Sequence, residues 1–154
     1  TGGITKQLLQ SVQKEVLMIK ADHEQQLAVR LEDGEELIPS LLALGIDSGI
    51  ILNGVGMLRE LELGYWNGRS YDIKRIDEPV ELLSLQGNFA RKGEECILHC
   101  HTTVAKQSGT ALGGHVIRAI VNNTAEIFIH RLSGITLKRK MEKTGLAGLY
   151  PQMS

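Results

Sequence analysis

Asn67-Gly68 sits between two runs that read as strands, Leu58 to Tyr65 and Tyr71 to Ile76. Asn-Gly supplies the positive φ angles of a tight hairpin turn, so this dipeptide commits the middle of the chain to antiparallel pairing. More strand-like segments surround it: Ile50-Ile51-Leu52, Val80 to Leu85, Cys96 to Val104, Leu112 to Val121 and Glu126 to Leu132. Gly134-Ile135-Thr136-Leu137 adds a short one. Upstream, Val16 to Ile19 and Leu27 to Leu31 flank the polar turn Asp22-His23-Glu24-Gln25 and read as a further antiparallel pair. Lys6 to Lys14 carries a weak helical pattern.

One helix is expected. Asp33-Gly34-Glu35-Glu36 resembles a helix start, with acidic residues favouring the N-terminal dipole. Leu37, Ile38, Leu41, Leu42 and Leu44 follow at helical spacing, Pro39 falls in the early turns, and Gly45 supplies a stop. The fold class that follows is α+β, a largely antiparallel sheet packed on one main helix. With 154 residues, three prolines and no internal repeat, the chain reads as one domain.

The 42% apolar and 23% charged content excludes a disordered or collagen-like chain. A net charge of −1 leaves no basic excess for coating a duplex, so direct DNA binding is disfavoured. No apolar run approaches the ~18 residues of a membrane span, and no signal peptide is visible. The chain begins Thr1-Gly2-Gly3 without a methionine, so its natural start is expected to have been trimmed. Cys96 and Cys100, four apart on a strand, lie roughly 13 Å apart at ~3.3 Å per residue, too far for a disulfide. Free thiols without a secretion signal point to a cytoplasmic protein.

The stretch that carries chemistry is Leu98-His99-Cys100-His101-Thr102, followed by Gly113-Gly114-His115-Val116. Residues two apart on a strand share a face, so His99 and His101 project together and Cys100 points the other way. Lys106-Gln107-Ser108-Gly109 is turn chemistry. A turn centred near Gln107 pairs His99 with His115 and sets His101 diagonal to it, within imidazole reach of a shared ion. Three imidazoles suit zinc, and also iron, nickel or copper. A His-x-His on a strand also occurs without metal, and a one-residue slip would throw His115 to the opposite face. His130 has no partner readable from spacing, and His23 reads as an exposed turn residue. Gly54-Val55-Gly56 reads as a bend or bulge, Lys138-Arg139-Lys140 as a solvated edge strand at least as well as a phosphate contact, and Trp66 as turn packing.

Glu78-Pro79-Val80-Glu81-Leu82-Leu83-Ser84-Leu85-Gln86-Gly87-Asn88, Leu98-His99-Cys100-His101, Gly113-Gly114-His115-Val116 and Glu126-Ile127, in that order, closely resemble the plants-and-prokaryotes-conserved (PPC) domain. Arg30 to Leu37 matches that family's strand-to-helix transition, and Asn53-Gly54-Val55-Gly56 its glycine bend. The resemblance runs from about Leu27 to Leu149, with residues 1–15 as an N-terminal extension and 16–154 as the domain. It implies a stand-alone prokaryotic member that assembles as a homotrimer and holds a metal through His99, His101 and His115; the imidazole donors make zinc the expected divalent ion. It also implies a DNA-binding family name, although the Arg-Gly-Arg-Pro AT-hook of plant relatives is missing here.

Three functions follow as expectations. The leading one is a cytoplasmic binding or regulatory module with a small-molecule ligand at the metal. The second is a metal-dependent hydrolase or lyase, which needs a general base such as Glu81 or Glu126 near the open metal position, so catalysis stays open. The third is DNA binding by family analogy.

Overall fold

The computed structural model describes residues 18–154. The helical pattern at Lys6 to Lys14, the extension at 1–15 and the start of the strand at Val16 lie outside the described residues. The strands are β1 (Ile19–His23), β2 (Gln26–Glu32), β3 (Gly49–Trp66), β4 (Tyr71–Ile76), β5 (Val80–Lys92), β6 (Glu95–Ala105), β7 (Ala111–Arg131), β8 (Ile135–Met141) and β9 (Ala147–Met153). A single helix, α1 (Leu37–Leu42), falls between β2 and β3.

The expected α+β class is wrong. Strands hold 70% of the described residues and helix only 4%, so this is a nearly all-β domain. The acids thought to open the helix do other work. The Asp33 carboxylate accepts from the Asn123 amide at 2.7 Å and from Arg59 at 2.7 Å, which ties the loop to β7 and β3. Glu35 is buried, and its carboxylate accepts from the Glu32 amide at 2.7 Å. No acidic residue lies in the first turn of α1. Six residues remain, stopped by Gly45 at φ +67° as expected, and they add Leu37 and Leu41 to the core.

The nine strands form one sheet in the order β1-β2-β7-β3-β5-β8-β9, with β4 on β3 and β6 joining β5 to β7. The ring β3-β5-β6-β7 therefore closes on itself. Its pairings are all antiparallel, and it buries Leu58, Leu61, Leu85, Phe89, Val104, Val121 and Ile127 almost completely. Closure of this kind leaves no free edge within the ring.

Two strands are longer than the sequence pattern suggests. β3 runs 18 residues through the Asn53–Gly56 bend, and β7 runs 21 residues through Asn122 to Ala125. Their pairing contains four register irregularities, and each breaks the period-two pattern that marks a strand. Gly56, at φ +145°, lies where β3 meets β7 so closely that a Cβ would run into the Thr124 carbonyl. The Asn67-Gly68 hairpin forms where expected, as a four-residue loop in which the Asn67 side-chain oxygen accepts from the Arg69 and Ser70 amides.

Candidate metal centre

The β6–β7 hairpin brings the three predicted histidines together. Its five-residue loop, Lys106 to Thr110, is closed by the Lys106 amide donating to the Thr110 carbonyl at 3.0 Å. The turn is centred on Ser108, one residue later than expected, so His101 rather than His99 lies directly opposite His115. The shift moves the register by two, so parity is kept and all three rings stay on one face. Their centroids are 5.0 Å (His99–His101), 5.0 Å (His99–His115) and 5.3 Å (His101–His115) apart.

Neighbouring strands fix this arrangement. Gln86 and Asn88 of β5 face His101 and His99 across the ladder, with Gly87 opposite Cys100. A Cβ on Gly87 would run into the His99 carbonyl and come within 2.7 Å of the Cys100 Cα, so only glycine lets β5 approach β6 this closely. Cys100 itself points into the apolar core, 1% exposed, and burial pushes its thiol up to about 12. Cys96 and Cys100 are both free, and the Cys96 thiol meets the Ile46 carbonyl at 3.0 Å.

The donor set fits a metal ion. One nitrogen from each imidazole lies within 4.8 Å of the others, and the cluster can hold a cation. Nitrogens bound tetrahedrally at ~2.0–2.1 Å lie roughly 3.3 Å apart. His99 Nε2 and His101 Nε2 are 3.1 Å apart, and His115 Nδ1 is buried with no hydrogen-bond partner. Buried polar atoms ordinarily find partners, so this orphaned nitrogen marks an incomplete site.

The surroundings favour neutral, ligating imidazoles. His99 is pushed down to about 4, first by burial, then by the Arg139 guanidinium and the other two histidines. His115 is lowered by burial, then by His101 and Arg139. Tyr71 stacks on His115 at 4.7 Å with the planes 14° apart, and Trp66 meets Tyr71 edge-on at 5.2 Å. Trp66 is thus turn packing, as expected, and it packs against the tyrosine that stacks on His115.

Arg139 is the residue the sequence reading missed. The expected solvated edge strand holds for Lys138 and Lys140, which face solvent, but Arg139 between them is 9% exposed. Its Nη2 donates to the Asn88 side-chain oxygen at 2.7 Å and faces His99 Nδ1 at 3.3 Å, and Nη1 donates to the Ala147 carbonyl at 2.8 Å. Strand alternation was the available signal, because it places Arg139 opposite its two lysine neighbours.

Other candidates lie elsewhere. Glu81 is five positions along β5 from Gln86, roughly 16 Å at ~3.3 Å per residue, and Glu126 is eleven positions along β7 from His115. His23 and His130 line a separate cavity of about 420 Å³ with Leu52 and Phe128.

Comparison with known proteins agrees with this architecture. The Plants and Prokaryotes Conserved (PCC) domain matches residues 18–133. A Pyrococcus horikoshii plant- and prokaryote-conserved protein is 31% identical, with a TM-score of 0.74 over 85% of this chain and 92% of its own. A Bacteroides thetaiotaomicron protein described as a "putative dna binding protein" is 30% identical, with a TM-score of 0.81 over 86% and 96%. A metal-containing protein of Archaeoglobus fulgidus is 29% identical, with a TM-score of 0.73 over 89% and 99%. No curated protein matches the chain. No helix among the described residues is long and apolar enough to cross a membrane. A match across most of the chain, with the same fold in these relatives, places it in the Plants and Prokaryotes Conserved domain family.

Proposed function

We propose that this protein is a metal-binding module in which His99, His101 and His115 hold one divalent cation. The observation that carries the reading is the convergence of one nitrogen from each of three imidazoles within 4.8 Å of one another. Neutral imidazoles without thiolate or carboxylate suit zinc, as they do iron, nickel and copper, and the archaeal relative described as metal-containing supports a resident ion. When bound, such an ion supplies a Lewis-acidic position open to a ligand. The chain's own part is to keep His99 and His115 unprotonated, to fix the rings by the β5 ladder and Tyr71, and to keep Cys100 out of the donor set.

A binding or regulatory role is favoured over hydrolysis by where the carboxylates lie. A hydrolase needs a base within hydrogen-bond reach of the reacting group, and Glu81 and Glu126 lie five and eleven positions along their strands from the histidine cluster. DNA binding, the role described for the Bacteroides relative, would have to proceed with a net charge of −1.

Homotrimeric assembly, implied by family resemblance, is supported by apolar side chains left open on the sheet, Leu52 at 56% and Phe128 at 48% exposure. The test of the metal reading is elemental analysis of purified protein beside His101→Ala. One equivalent in the wild type and little in the variant is expected; equal content in both overturns it.

A further inference from the structure

Arg139 is a buried cation without an anion. Among the described residues no carboxylate reaches its guanidinium; its contacts are the neutral Asn88 side-chain oxygen, the Ala147 carbonyl and His99 Nδ1, and its Nε has no partner at all. Charged groups this buried are ordinarily paired, because an uncompensated charge is costly in a low-dielectric surrounding. The same side chain forms part of the wall of a cavity of about 220 Å³ that also includes His99 and His115. The rest of that wall is Tyr71, Ile97, Leu98, Leu146 and Ala147, which is apolar except for the tyrosine.

We propose that this cavity binds a small organic monocarboxylate, its charged end between Arg139 and the histidine triad and its short apolar tail against Ile97, Leu98 and Leu146. The planar guanidinium fork matches a carboxylate. The apolar wall favours an organic tail over inorganic phosphate, which would need polar contacts on more sides. The cavity is smaller than the ~300–1,000 Å³ of sites for drug-sized ligands, so the ligand is small.

The hydrogen-bond pattern links this ligand to the metal. Arginine has only donors, so His99 Nδ1 accepts from Arg139 and the ring hydrogen sits on Nε2, towards His101. Ligation through His99 Nε2 requires that hydrogen on Nδ1, where it faces the Arg139 donor. Loading therefore weakens the Arg139–His99 contact and releases one Nη2 hydrogen for a carboxylate oxygen, while the other stays on Asn88. This coupling rests on the metal reading; the pairing of a carboxylate with Arg139 does not.

The test is calorimetric titration of the full chain with sodium acetate, butyrate and benzoate, with sodium phosphate as comparator, on zinc-loaded and on chelator-treated protein. Fluorescence of Trp66, the sole tryptophan, gives a second readout because it borders Tyr71. Saturable binding of butyrate or benzoate is expected, tighter on loaded protein. Arg139→Met should fold, since an apolar side chain can replace an unpaired buried charge, keep its zinc and lose about thirtyfold or more in carboxylate affinity. Arg139→Lys keeps the charge without the fork and should fall between the two. Wild type that binds no carboxylate, variants that bind equally well, or phosphate bound more tightly than every carboxylate would each overturn the proposal. Wild type that takes up no zinc would remove the metal reading and the coupling. The chelator-treated arm would then decide the pairing with Arg139, and wild-type titration decides it even where the methionine variant does not fold.

Discussion

Two places on this sheet carry histidines, and they differ in kind. On the β6–β7 hairpin, three imidazoles from adjacent strand positions meet beside a buried arginine and a stacked tyrosine. Where β1, β2 and β7 meet, His23 and His130 line a groove with exposed Leu52 and Phe128; Asp22 lines it too but is paired with Arg131, and these side chains do not converge on one point as the triad does. The composition of the two places is similar, but cross-strand register is not. A tight hairpin with even register converts sequence spacing into convergence, whereas the groove gathers its histidines from strands that offer an apolar surface. In the proposed function the first place holds the ligand and the second meets another copy of the chain.

The contrast can be broken at either place. The largest effect is expected for metal affinity. His101→Ala should weaken zinc binding by about a hundredfold or more, since losing a ligand should cost at least as much as losing its outer-shell partner. His130→Ala should leave it unchanged, and competition with a chromogenic chelator measures both. Next is assembly: Phe128→Asp should reduce the mass seen by light scattering from roughly 51 kDa, three times the 16.9 kDa chain, towards that of one chain. His101→Ala should not change that mass.

A smaller effect concerns pH. In the folded, metal-free protein His99 titrates at about 4, while in the unfolded chain it titrates near 6.5. Between these values the unfolded state binds more protons, so stability should fall as pH drops from about 6.5 and level off for this group below about 4. Urea midpoints across that window measure the slope, and His99→Gln should flatten it. The smallest effect on metal is expected from Cys100→Ser. Zinc content should stay nearly constant, although burying a hydroxyl in the core should cost about 1–3 kcal/mol of stability in chemical denaturation.

The site was more legible than the fold around it. His99, His101 and His115 could be grouped because parity on a strand survives a two-residue change of register, which is the change that a turn displaced by one residue produces. Cys100 could be separated from them by the same rule. The fold class could not be read because Leu37 to Leu44 carries a helical apolar pattern, yet Asp33 and Glu35 bond to the backbone and to Arg59 instead of opening a helix. β3 and β7 were split in two because bulges interrupt alternation at the places where glycine permits close approach. Arg139 was overlooked because its partner Asn88 is 51 residues away, on a strand that no local pattern pairs with β8.

The central claim is that three imidazoles and no sulfur form the centre. X-ray absorption at the zinc edge of loaded protein tests it most directly. The account expects three nitrogen scatterers at ~2.0–2.1 Å with the multiple-scattering signature of imidazole. A sulfur scatterer at ~2.3 Å would place Cys100 among the ligands and contradict both the strand parity and the site built on it.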